Sequence, residues 1–139
     1  MVKIAILDDY QDCARSLADW SALPKGTEIQ SFRDHLFDLD QVAARLKPFD
    51  VVCAMRERTP FPKALVEKLP NLKLIATTGM WNAAIDIAAA KARGIIVCGT
   101  GAPATATAEL TWALILGLVR NIPTEYNSLR SGGWQATVG

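Results

Sequence analysis

Leu74-Ile75-Ala76-Thr77-Thr78-Gly79-Met80-Trp81-Asn82, an alanine-rich segment from Ile85 to Arg93, and Gly94-Ile95-Ile96-Val97-Cys98-Gly99-Thr100-Gly101 form the stretch that decides the fold. Leu74 to Ala76 and Ile95 to Cys98 are continuous apolar runs, the pattern of strands covered on both faces. The segment between them reads as a helix stopped by Gly94. Each strand runs into a glycine loop. Ligands of an open parallel sheet sit beyond the carboxyl ends of its strands, so a site is expected at Gly79 to Asn82 and Gly99 to Thr105.

Working outward, Lys3 to Leu7 is a short apolar strand closed by Asp8-Asp9. Asp12 to Trp20 carries Ala14, Leu17 and Ala18 at helical spacing, with Asp8 and Asp9 placed to cap it. Thr27 to Phe32 alternates as an edge strand does. Asp38 is an N-cap with Gln41 in the capping-box position, and Pro48 ends that helix. Asp50 to Ala54 is a third buried strand whose carboxyl end delivers Met55-Arg56-Glu57-Arg58-Thr59 into a loop before a helix near Pro62. The strand–helix alternation predicts an α/β fold: a flavodoxin-like, five-stranded parallel sheet in order 2-1-3-4-5, with helices on both faces.

Thr105 to Arg120 is expected to be a helix of another kind. Leu110, Trp112, Leu114, Ile115, Leu116, Leu118 and Val119 spread over every face, so a second domain or subunit is needed to cover it. Thr124 to Ser131 follows as a short amphipathic helix.

The totals exclude several classes of function. Fifteen basic against fourteen acidic residues leave no electrostatic footprint for nucleic acid or an anionic membrane. No run reaches the ~18 apolar residues needed to span a bilayer. The start of the chain passes directly into a strand, without the apolar run of a signal peptide. Cys13, Cys53 and Cys98 are odd in number and widely spaced, two of them within strands, which fits small buried hydrophobes in a reducing cytoplasm.

Several constellations carry chemistry on paper. Gly99-Thr100-Gly101-Ala102-Pro103-Ala104 fits the G-x-G-x-x-A form of a dinucleotide loop, yet Pro103 removes an amide and no later strand supplies the acidic residue such a loop requires. Asp8-Asp9 with Thr77 or Thr78 resembles the layout of a phospho-accepting receiver domain, but Cys53-Ala54-Met55 stands where the acceptor aspartate would be. Arg56 or Arg58 can clamp a carboxylate from the ligand-facing edge. Gly79-Met80-Trp81-Asn82 can bring backbone amides to an anion. His35, the single histidine, is remote in sequence from both glycine loops and is set aside as a catalytic group. No His, Cys, Asp and Glu spacing matches a metal site.

Leu74-Ile-Ala-Thr-Thr-Gly79, Ile85-Asp86, Ala89-Ala90, Gly94-Ile95-Ile96-Val97 and above all Thr107-Ala-Glu-Leu-Thr-Trp-Ala-Leu-Ile-Leu116 resemble the amino-terminal half of the D-isomer-specific 2-hydroxyacid dehydrogenases, the group that contains phosphoglycerate dehydrogenase. The resemblance runs from Lys3 to Trp134. It implies a substrate-binding domain over 1–104, and over 105–139 an interdomain linker helix with the start of a nucleotide-binding domain. It also implies a small 2-hydroxy or 2-oxo acid as substrate, held by Arg56 and by Gly79, Met80, Trp81 and Asn82. Thr107 would lie toward the nicotinamide of NAD, and the helix 105–120 would mediate a homodimer or another partnership. The family's catalytic arginine, glutamate and histidine, and its G-x-G-x-x-G loop, belong to a segment that would follow Gly139. No catalytic residue and no NAD binding are therefore expected of this chain alone. Met80 stands where relatives usually carry a second glycine. The residues by themselves leave a second function open, a stand-alone flavodoxin-like binding or interaction module.

Overall fold

The computed structural model describes residues 1–101 and 105–138. Residues 102–104 of the second glycine loop, Pro103 among them, lie outside the described residues. The chain divides into two compact units, Met1–Ala102 and Pro103–Gly139.

The first unit is built on β1 (Lys3–Ile6), β2 (Glu28–Ser31), β3 (Val51–Ala54), β4 (Leu74–Thr77) and β5 (Ile96–Gly99). They form one parallel sheet in the order β2-β1-β3-β4-β5, as the alternation of elements predicts. The helices are α1 (Leu39–Leu46), α2 (Lys63–Val66) and α3 (Ile87–Ala92). Three crossovers, β2 to β3, β3 to β4 and β4 to β5, step the same way across the sheet, so right-handed connections put α1, α2 and α3 on one face. Burial agrees. Val42, Ala43 and Leu46 of α1, Leu65 and Val66 of α2, and Ala89 and Ala90 of α3 close over Ala5, Val52, Ala54 and Ile75 in a single core.

The opposite face departs from expectation, because Asp12 to Trp20 forms turns and only the 3-10 segment Trp20–Ala22, not an α-helix. The reason is local competition for the backbone. Asp12 adopts φ 53°, and the Trp20 indole N–H donates to Ala14 O at 3.0 Å, taking the carbonyl that a helix would have offered to Ala18. Leu17, counted as an inward position, is exposed. Asp9 does cap the first turn, accepting from the Cys13 amide at 3.0 Å, whereas Asp8 turns inward. Along this face the register aligns Val51, Leu74 and Ile96, and likewise Cys53, Ala76 and Cys98. Cover thins toward β5, where Ile96 and Cys98 are exposed. The expectation that the two strand cysteines are buried fails at Cys98 for that reason, whereas Cys53 is half-buried and burial pushes its thiol up.

The amino-terminal ends of the strands are tied by Asp50. Its carboxylate accepts from the Lys73 ammonium at 2.7 Å and from the Lys3 amide at 3.0 Å, and these bonds hold it below the usual carboxylate range, the lysine contributing most. A lowered folded value contributes stability above the unfolded value of ~4, and that stability is lost as pH falls through the folded value. Asp50→Asn is accordingly expected to lower the urea midpoint at pH 7, and the gap from the parent should close as the pH is taken below the folded value of Asp50. A gap that persists there would show that packing, not charge, is responsible.

The second unit holds α4 (Thr105–Val119) and α5 (Ile122–Arg130). None of the residues of α4 is buried. Asn121, in a left-handed conformation at φ 52°, breaks the run between the two helices. Glu125 then accepts from the Thr137 hydroxyl at 2.7 Å and the Ala136 amide at 3.0 Å, which fastens the following loop back onto α5.

Candidate functional site

The strands β3, β4 and β5 end side by side, so their loops meet. The β3 loop rises at Arg56, which takes φ 53°, an uncommon conformation for a residue with a side chain. It is kept there from both sides. The Arg56 amide donates to Thr78 Oγ1 at 3.0 Å, and its carbonyl accepts from Asn82 Nδ2 at 2.6 Å. The guanidinium rests on Gly79, with Nη1 in the space that a Cβ on that glycine would fill.

Gly79 has φ 94°, which turns the β4 loop back toward β5. Its amide donates to Thr100 Oγ1 at 3.0 Å and its carbonyl accepts from the Thr100 amide at 3.1 Å. Gly79 therefore shapes the loop and supplies no amide of its own to a ligand. The amides of Met80, Trp81 and Asn82 have no acceptor among the described residues. Asn82 is buried, and its side chain is fully engaged: Nδ2 donates to Arg56 O and, at 2.9 Å, to Thr77 Oγ1, while Oδ1 accepts from the Ala84 amide at 2.9 Å. It braces the loop and leaves only its amide to a ligand.

Close approach of the loops depends on Gly99. A Cβ there would stand 2.6 Å from Gly79 O and 3.0 Å from Met80 Cα, so any side chain at the end of β5 would push the two loops apart. Met80 and Trp81 are 78% and 72% exposed, an unusual outlay of apolar surface on a loop, and with Ile85, Ile87 and Val97 they line a groove into which none of the described cationic side chains, Arg56 included, extends. The loops thus carry one guanidinium over Gly79 and a short run of amides beside an apolar groove. Such a set suits a carboxylate attached to a small organic body.

Sequence reading assigns Asp8 a capping role, sets His35 aside and leaves Thr59 as a loop residue, and the structure brings the three together. His35 is remote in sequence from the site, yet its Nδ1 lies 2.8 Å from Asp8 Oδ1 at the carboxyl end of β1. Thr59 follows Arg58 in the β3 loop and donates from Oγ1 to Asp8 Oδ2 at 2.7 Å. One signal lies in the doubled acid at the end of β1, since a single residue, Asp9, suffices to cap the following turn. Thr107, which the family resemblance implies faces a cofactor, lies on α4 in the second unit, where its carbonyl accepts from Thr111 Oγ1 at 2.8 Å.

Only Gly99, Thr100 and Gly101 of the second glycine loop are among the described residues. Gly99 is packed against Gly79 and Met80. Among the described residues no group of three or more His, Cys, Asp and Glu is placed to hold a metal ion. None of the described helices is long and apolar enough to cross a membrane.

Residues 4–133 match the family model described as D-isomer specific 2-hydroxyacid dehydrogenase, catalytic domain. The chain belongs to that family. It is 31% identical over 136 residues to the D-3-phosphoglycerate dehydrogenase of Methanocaldococcus jannaschii, covering 96% of this chain and 24% of that protein. Against the hydroxypyruvate reductase of Blautia hydrogenotrophica it is 28% identical over 137 residues, covering 97% of this chain and 42% of that one. The crystal structure of phosphoglycerate oxidoreductase from Vibrio cholerae O395 matches all of this chain and 44% of its own, at 40% identity and a TM-score of 0.86. The chain therefore spans less than half the length of these relatives, and it is an oxidoreductase-family domain with an α/β fold shared across them.

Proposed function

We propose that this chain supplies the substrate-binding portion of an NAD-dependent D-2-hydroxyacid dehydrogenase and seats the carboxylate of a small 2-hydroxy or 2-oxo acid. The observation that carries the reading is Arg56 resting on Gly79 beside the amides of Met80, Trp81 and Asn82, none of which has an acceptor among the described residues. Family membership supplies the reaction class, hydride exchange at the carbon next to that carboxylate. A carboxylate between a guanidinium and backbone N–H groups is fixed in position and direction, which leaves the neighbouring carbon facing one way. This chain contributes orientation, and no proton or hydride step is assigned to its residues.

Residues 1–104 act in this reading as the substrate domain and 105–139 as the link to a nucleotide-binding domain. The apolar surface of α4 serves there as the contact with that domain or with a second subunit, as in a homodimer. Thr107 lies on the cofactor side. Three free thiols agree with a reducing cytoplasm.

The test is a nitrogen-15-labelled sample of the 139-residue chain titrated with pyruvate, with acetone as the uncharged control. Pyruvate should move the amide signals of Met80, Trp81 and Asn82 and leave those of α4 unchanged; acetone should move none of them. Arg56→Ala should weaken pyruvate by roughly tenfold or more, the worth of a hydrogen bond to a charged group. Shifts centred elsewhere on the fold, or an Arg56→Ala chain that binds as well as the parent, would refute the assignment.

A further inference from the structure

The carboxyl end of β1 holds a polar cluster that the carboxylate seat does not touch. Asp8 is 2% exposed and sits at φ 55°, so a buried acidic side chain is also held in a strained backbone conformation. Neither the fold of β1 nor a helix cap requires this. Each of its oxygens is used: Oδ2 accepts from Thr59 Oγ1 at 2.7 Å, and Oδ1 lies 2.8 Å from His35 Nδ1 and 3.4 Å from the Tyr10 hydroxyl. His35 Nδ1 and Asp8 Oδ1 share one hydrogen bond. The His35 ring is steadied edge-on by Phe37, with centroids 4.5 Å apart.

The same residue also holds the β3 loop by its backbone. Asp8 O accepts from Arg58 Nη1 at 3.1 Å, and the Arg58 guanidinium lies 4.7 Å from the ring centroid of Tyr10. Thr59 is buried and Arg58 is clasped, so the far end of the Met55–Thr59 loop is anchored to β1. Its near end is anchored to β4 through Arg56. The strained Arg56 is itself the near anchor, separated from the clasped Arg58 only by Glu57. With the far end released, the bonds to Thr78 and Asn82 would be left alone to hold the φ 53° conformation against its strain, and the guanidinium would gain freedom to leave Gly79.

We infer that Asp8, braced by His35, is a positioning group: through Thr59 and Arg58 it holds the β3 loop so that Arg56 stays over Gly79. The inference rests on the carboxylate reading of Arg56, and it places His35 and Asp8 in the service of substrate binding without contact with substrate.

The experiment uses the whole 139-residue chain with three changes: Thr59→Val, which keeps the shape and removes the hydroxyl; Thr59→Ser, which restores it; and Arg56→Ala, alone and combined with Thr59→Val. Amide relaxation without ligand reads the loop directly. Backbone order at Arg56 to Arg58 should fall from about 0.85 to below about 0.6 in Thr59→Val and return in Thr59→Ser, while β4 and β5 stay rigid. Pyruvate, followed at Met80 and Trp81, should weaken about tenfold in Thr59→Val, the loss of one charge-assisted hydrogen bond, and recover in Thr59→Ser. In the Arg56→Ala background Thr59→Val should cost nothing further, because the two act as one unit. A merely structural Thr59 would weaken binding equally in both backgrounds, which would overturn the inference, as would a loop that stays ordered or one that loosens without change in affinity. If the parent shows no response to pyruvate while the loop still loosens in Thr59→Val, the carboxylate reading is lost and the anchoring of the loop by Asp8 stands.

Discussion

Gly79→Ala is expected to abolish the pyruvate response of the 139-residue chain while leaving a folded sheet. Two effects combine at this position. Its φ of 94° is open to glycine and costs a residue with a Cβ about 1–3 kcal/mol. The added methyl would also fall on Arg56 Nη1, the mobile end of a long side chain, so the guanidinium yields first. Yielding costs little stability, but it empties the seat. Gly26→Ala separates the two effects, since Gly26 has φ 87° with nothing near its absent Cβ. Both variants should lose a similar amount of stability, a fall of roughly 4–8 °C in Tm per kcal/mol for a domain of this size. Only Gly79→Ala should lose pyruvate binding, and by at least about tenfold, the scale of a hydrogen bond to a charged group. Equal affinities in the two variants would show that Arg56 is not part of the site.

Phe61→Ala is expected to give the largest loss of stability of any single truncation in the first unit. Phe61 is fully buried and is the bulkiest of the completely enclosed side chains. Its backbone bridges to the segment after the β4 loop: the Phe61 amide donates to Ala84 O at 2.7 Å and its carbonyl accepts from the Asp86 amide at 2.9 Å. Removing the ring leaves a cavity under that bridge and should cost about 3–5 kcal/mol. Total stabilities of about 5–15 kcal/mol make this a large share. Urea unfolding should show the midpoint falling sharply with little change in slope, and Phe61→Leu should recover most of the loss. A cost below about 1 kcal/mol would mean that the core can close over the gap, contrary to its packing around Leu65, Ile75 and Ile85.

The two predictions concern residues that sequence reading treated unequally. Gly79 stood out because a strand of apolar residues ended on it, and glycine at a strand end has a physical meaning that needs no neighbour to be known. Phe61 lies between Pro60 and Pro62, and nothing in that local sequence says that a parallel bridge to Ile85 encloses it. Arg56 was legible as a cation at the ligand-facing edge, yet its left-handed backbone and its seat on Gly79 were not. Asn82 was counted with the ligand-binding loop, and the structure shows its side chain fully occupied in bracing Arg56 O, Thr77 and Ala84.

The segment from Asp12 to Trp20 illustrates the opposite error. Its apolar spacing is helical, but spacing is a weak claim when the face it defines has little to cover. Leu17 faces solvent, and the indole of Trp20 competes for a helix carbonyl. Tertiary placement of one side chain outweighed the pattern.

Strand identity, parallel order, the helix starts at Asp38 and Pro62, and the family were determined by sequence alone, because they depend on the kind and spacing of neighbouring residues and survive small errors of position. Which polar groups meet was decided only by the tertiary structure. His35 reaches Asp8 across 27 residues and Thr59 reaches it across 51, contacts that exist because β1 lies between β2 and β3 in the sheet. Hydrogen bonds act over about 3 Å, and no local pattern along a chain can specify a distance of that size between segments so far apart.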